Sequence, residues 1–102
     1  MDISKEEINK AMRLYLGGGN DNGYNPLENE YRLKNEYGAN WGAVQKILDG
    51  YIETMMKINV DWNKESLEQA ILRIEREIHS LYPWLDNTTR MKMANYFGYS
   101  WK

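Results

Sequence analysis

Leu67, Ile71, Ile74, Ile78 and Leu81 recur at steps of four, three, four and three residues. That spacing puts all five on one face of an α-helix. Ala70 and Leu72 widen the stripe, while Glu65, Glu68, Gln69, Arg73, Glu75, Arg76 and Glu77 fall on the other side. The pattern predicts a helix over Asn63–Tyr82. Trp62 and Leu67 flank Asn63 at the N′ and N4 positions of a hydrophobic staple, and Pro83 ends the run because it disfavours helix in the residue before it. This ridge is expected to be the spine against which the other helices pack.

A second stripe, Trp41, Val44, Leu48, Tyr51, Met55 and Ile58, steps by three, four, three, four and three. Ile47, Ile52 and Met56 thicken it, so the helix predicted over Asn40–Ile58 should be buried on more than one side. Gly42 and Gly50 weaken it by about 1 kcal/mol each relative to Ala. Either another helix comes close there or the positions are exposed weak points. A short turn joins this helix to the next, which predicts a long antiparallel hairpin of Asn40–Ile58 and Asn63–Tyr82.

The remaining elements are read from their ends. Ser4 and Glu7 form a capping box, and Ile3 with Ile8 a staple, so a first helix begins at Ser4. Ile8, Ala11, Met12 and Tyr15 face inward, and Gly17 stops the helix after Leu16. Asn25-Pro26-Leu27-Glu28 opens a second helix, with Asn as cap and Pro in the first turn. Leu27, Tyr31, Leu33 and Tyr37 face inward, and Gly38 ends it. Trp84 and Leu85 tuck under the spine. Asp86 or Asn87 caps a last helix ending at Phe97, with Met91, Ala94 and Phe97 inward and Gly98 as the stop. The sum is one all-α domain over residues 1–102, a small bundle of about five helices.

Composition agrees with a folded domain. Of the 102 residues, 42% are hydrophobic and 13% aromatic, too many for a disordered chain despite a mean hydropathy of −0.77. The core of so short a chain is modest. Cysteine is absent, which excludes disulfides, thiolate catalysis and Cys-ligated metals. The start, Met1-Asp2-Ile3-Ser4-Lys5-Glu6-Glu7, is too acidic for a secretory signal, and no apolar run approaches bilayer length. The expectation is a soluble cytoplasmic protein of bacterial or phage-like compactness.

Chemistry finds few footholds. Gly17–Asn25 lacks the lysine and Gly-Lys-Ser/Thr ending of a phosphate loop. Read as a calcium loop with Gly23 as hinge, it puts Gly18 at the first ligand position and Asn29 at the last, where a carboxylate is needed. It reads as a connector, and a reasonable place for a partner contact. His79 is the single histidine. Glu75 lies one turn before it, but a dyad needs a nucleophile and a cleft. One histidine without cysteine argues against transition metals. The carboxylate pairs Glu6/Glu7, Glu28/Glu30, Glu65/Glu68 and Glu75/Glu77 fall on polar faces, where solvation and helix dipoles account for them. No enzyme, cofactor or metal site is expected.

Leu33, Tyr37, Ala39, Val44 and Ile47, with Gly38 in the turn, occupy the apolar positions of a helix-turn-helix. Tyr37-Gly38-Ala39-Asn40-Trp41 resembles the short Tyr-Gly and Asn-Trp signature of Myb/SANT domains, with Trp62 about where a later tryptophan falls. The resemblance spans about a third of the chain and implies DNA binding. Against it, Lys34 stands where a helix-turn-helix wants a small residue. In Asn40–Ile58, Lys46 and Lys57 balance Asp49 and Glu53, whereas phosphate contacts need a positive surplus. An αα-corner around a buried Trp41 is the preferred reading. The formal charge of −2 with no basic cluster also argues against nucleic acid and anionic membranes.

The leading expectation is a small helical protein that binds another protein, as an inhibitor, immunity protein, antitoxin or adaptor does. Four Trp and eight Tyr exceed what so small a core plainly uses, and such rings anchor interfaces. An acidic surface suits a basic partner. The contact is expected on the glycine loop and the C-terminal tail, at Asp21, Tyr24, Tyr99 and Trp101. Two alternatives stand beside it. One is a DNA-associated regulator using residues 27–58. The other is a structural homodimer formed through the wide stripe of Asn40–Ile58.

Overall fold

The computed structural model describes residues 3–17 and 30–100. Its elements are α1 (Lys5–Tyr15), α2 (Glu30–Tyr37), a 3-10 turn (Gly38–Asn40), α3 (Trp41–Met56), α4 (Leu67–Leu81) and α5 (Asn87–Ser100). The fold is all-α: four helices of eleven residues or more and the two-turn α2, with no strand among the described residues. The predicted start of α2 at Asn25-Pro26 lies outside the described residues.

Helix α1 begins at its predicted cap, but the capping box is only half made, because the Glu7 carboxylate accepts the Tyr37 hydroxyl and does not return to Ser4. Ser4 Oγ accepts the Glu7 amide at 3.1 Å, satisfying one of the N–H groups that a helix start leaves over. Ile8, Ala11, Met12 and Tyr15 are buried. Gly17 ends the turn at φ 79°, a left-handed conformation that glycine adopts without a Cβ penalty. Gly38, the first residue of the 3-10 turn, has a similar left-handed conformation at φ 55° and ends α2. Leu33 is buried in α2, but Tyr31, expected inward, is 55% exposed.

The predicted hairpin is not the one that forms. Helix α4 packs mainly on α5, not on α3. A connector of ten residues, 57–66, separates α3 from α4, and it is not a tight turn. Lys64 and Glu65 both donate their amides to the Asp61 carbonyl, and Asn63 donates to the Asp61 side chain at 3.0 Å. These bonds make 61–65 a turn in its own right. The helix therefore starts after Ser66, not at Asn63. Ser66 Oγ accepts the Gln69 amide and the Gln69 side chain returns to the Ser66 amide, a complete capping box.

The ridge of α4 is real but narrower than its sequence spacing implies. Ala70, Ile74 and Ile78 are fully buried, while Leu67 and Ile71 are half-buried. Leu81 is 53% exposed, because it is the last helical residue and the chain turns away at Tyr82. The short link over residues 82–86 sends α5 back antiparallel to α4. Its carboxyl end reaches the start of α4, with Gly98 against Leu67 and Ile71. Gly98 does not stop α5. The helix runs on to Ser100, with Asp86 as its cap through the Thr89 amide at 2.7 Å.

The core sits where α1 meets α2, α3 and α5. Met12, Leu16, Leu33, Val44, Leu48, Ile52, Met55, Leu85, Met93 and Phe97 join Ile74 and Ile78 in one cluster. The stripe of α3 is used inside this core, against α1, α2 and α5. Gly42 and Gly50 face open space, so they are exposed weak points and not close approaches. No helix among the described residues is long and apolar enough to cross a membrane.

Candidate protein-binding face

Two arginines anchor α4 through polar contacts. Arg73 bonds Glu65 at 2.6 Å, Glu77 at 3.1 Å and the Asn59 carbonyl at 2.6 Å, holding the connector against the helix. Arg73 holds the Glu65 carboxyl below the usual carboxylate range, chiefly by hydrogen bonding. On the opposite flank, Arg90 of α5 bonds Glu75 at 2.7 Å and also donates to the Leu85 carbonyl. Both partners are largely buried, so this pair ties α4 to α5 in a setting where water screens little.

These contacts leave one side of α4 open. At its centre stands Leu72, 58% exposed and the most exposed large apolar residue among those described. One shallow groove beside it is lined by Glu68, Ile71, Leu72 and Asn95 and encloses about 300 Å³. A second is lined by Gln69, Leu72, Glu75 and Arg76. Tyr99, one turn beyond Asn95 on α5, is 47% exposed. The result is an apolar projection flanked by two hollows, with charged groups at its edge.

Of the residues expected to contact a partner, Tyr99 lies at the exposed end of α5. Asp21, Tyr24 and Trp101 lie outside the described residues. Leu72 was legible only as a widening of the ridge. Its signal was phase: it lies about 100° around the helix from Ile71, on the face shared by Glu68 and Arg76.

A different polar cluster holds α1 to the turn between α4 and α5. The Asn9 side chain donates to the Lys5 and Trp84 carbonyls, each at 3.1 Å, and accepts the Asp86 amide at 2.8 Å. Arg13 pairs with Asp86 and bonds Thr89 at 3.2 Å. Lys92 donates to the Gly17 carbonyl at 2.7 Å. Above this turn, Tyr51, Tyr82 and Trp84 meet edge to face, with Tyr51 and Tyr82 centroids 4.9 Å apart. Tyr15 bonds Asp49 at 2.7 Å, and burial pushes its phenol well above the ordinary range. The same holds for Tyr37, which donates to Glu7 at 2.9 Å. These rings and hydroxyls serve packing between helices.

In the helix-turn-helix-like region, Lys34 sits 4.6 Å from the Trp41 ring centroid, a cation–π contact. Trp41 is half-buried, not fully buried, and Lys57 pairs with Glu53 at 3.6 Å on the surface. His79 is exposed. No group of His, Asp and Glu suited to a metal ion occurs among the described residues. No protein-family model matches this sequence, and no curated protein and no solved structure matches it.

Proposed function

We propose that this protein acts by binding another protein, in the manner of a small cytoplasmic inhibitor, immunity protein or adaptor. The contact face is the outer side of α4 with the adjoining end of α5. The exposure of Leu72 carries this reading. An apolar side chain more than half open to water, between two hollows and ringed by polar groups, has the layout of an interface anchor with its rim. Tyr99 extends the same face with an amphipathic ring. The net charge of −2 favours a partner that is not itself strongly acidic.

The test is photo-crosslinking in the cells that make the protein. A photoactivatable residue at Leu72 should give a discrete protein adduct, while the same residue at Glu53, exposed on α3, should not. Leu72→Glu should remove the activity that depends on the partner and leave the helical circular dichroism unchanged. Equal labelling at both positions, or none at 72, would reject the face.

A further inference from the structure

We infer that a second copy of the chain covers this face while the partner protein is absent, docked antiparallel about a two-fold axis at Leu72. This rests on the reading of the α4 face as protein-binding and adds self-association to it. The charge order along one ridge of α4 favours this arrangement. Glu68 lies four residues before Leu72 and Arg76 four residues after it. All three are exposed and lie on the open side of α4. Residues four apart form the surface ridges by which helices pack. Neither Glu68 nor Arg76 makes an ion pair or a hydrogen bond among the described residues, although Arg73 and Arg90 each do. The ridge thus reads acid, leucine, base, with both charges unspent.

A two-fold axis reverses the ridge. It sets Leu72 against Leu72 of the partner subunit and brings each Glu68 to the partner's Arg76. One self-complementary patch supplies both halves, as a two-fold interface requires. Glu68 and Arg76 stand about 12 Å apart along the helix axis, so the two pairs bracket the apolar centre instead of crowding it. The hollow formed by Glu68, Ile71, Leu72 and Asn95 lies directly beside Leu72, which gives each leucine a neighbouring recess to enter. The other charges on this side do not oppose the pairing. Glu75 is already held by Arg90, and His79 lies a turn beyond Arg76 at the basic end. A parallel arrangement would instead set like charges together.

Sedimentation velocity over a wide range of protein concentration tests the dimer. The wild-type chain should pass from monomer to dimer as concentration rises, less readily at high salt. Glu68→Arg and Arg76→Glu, each alone, create two like-charge contacts per dimer and should weaken association by about tenfold or more. Mixing the two single variants in equal amounts should restore a dimer, because every contact then joins opposite charges. The double variant E68R/R76E should dimerise as the wild type does. These surface changes leave the core untouched, so circular dichroism should be unaltered in all of them.

A wild-type chain that stays monomeric throughout overturns the two-fold dimer, as does a dimer that either single variant leaves intact. A monomer that still gives a Leu72-dependent crosslink to a different protein overturns the dimer alone. Loss of that crosslink as well rejects the face itself.

Discussion

Gly98 of α5 lies so close to Ile71 of α4 that a methyl group at Gly98 would stand 2.6 Å from Ile71 Cδ1 and 2.8 Å from Cγ1. The contact accounts for a glycine in the last turn of α5, where a larger residue would meet Ile71. Gly98→Ala gains about 1 kcal/mol of helix propensity, but it forces the stiff, β-branched Ile71 aside. The expected net effect is a loss of about 1–2 kcal/mol in urea unfolding. In an Ile71→Ala background the clash is gone, and the same substitution should become stabilising. A cost that is equal in both backgrounds would mean that the approach of α4 to α5 is not what the glycine serves.

The other two helical glycines respond in the opposite sense. A Cβ at Gly42 or Gly50 meets nothing within 4 Å, and neither has a positive φ. Gly42→Ala and Gly50→Ala should each stabilise the protein by up to about 1 kcal/mol, partly by restricting the unfolded chain. The two sites are eight residues apart on α3 and share no partner, so their effects should add. Thermal unfolding of the double variant checks both the sign and the sum.

The contrast between these glycines marks how far sequence reasoning reaches. Helix content, the Ser4 cap, the end at Gly17, the stop before Pro83 and the Asp86 cap follow from local chemistry, and local chemistry is legible. What packs against what is not local. The turn after α3 looked tight because Trp62 and Leu67 fit a staple at Asn63. Yet Ser66 and Gln69 spelled a capping box in the same stretch, and Asp61 made a separate turn of the residues between. Gly98 resembled a stop because nothing in the sequence shows that Ile71 lies over it. The ridge periodicity identified Ile74 and Ile78 correctly. It could not tell that Leu81 would outrun its cover, or that Leu72 would be left as the centre of an open face. Asn9 gave no signal at all: a polar residue on α1 acquires its role only from the Trp84 and Asp86 backbone, more than seventy residues away.

Acid should reveal Asp86. Burial pushes its carboxyl upward, but the hydrogen bonds from Thr89 and the Arg13 charge outweigh this and leave it below the ordinary 3.8. In the window below 3.8 the unfolded chain binds more protons at this site than the folded one. Stability there rises with pH. The contribution is present above 3.8 and is lost as pH falls through the folded-state value. The side chain is 46% exposed, so solvent screening keeps the effect small. Asp86→Asn keeps a good helix cap and removes the titration. Its melting temperature should fall less steeply below pH 3.8 than that of the wild type; parallel curves would assign the acid sensitivity to other carboxylates.

Asn9 should be among the most sensitive positions on α1. Its amide bridges two segments: the nitrogen serves the Lys5 and Trp84 carbonyls, and the oxygen receives the Asp86 amide. The residue is 8% exposed, so water has little access to replace it. Asn9→Ala leaves the Trp84 carbonyl and the Asp86 amide without their partner. Both bonds are part-buried, so stranding these backbone groups costs less than the about 1–3 kcal/mol of a fully buried group, and the expected loss is about 1–2 kcal/mol in denaturant unfolding. Asn9→Asp keeps the acceptor for Asp86 but sets an oxygen against the Trp84 carbonyl and a second negative charge beside Asp86. It should cost no less. Arg13 pairs with Asp86 and bonds Thr89 from the same helix face, so Arg13→Ala combined with Asn9→Ala should fall short of additivity. Hydrogen exchange at the Asp86 amide is the local readout. It should quicken in Asn9→Ala before global unfolding sets in, and an unchanged rate would place the hold of α1 on this turn in apolar packing alone.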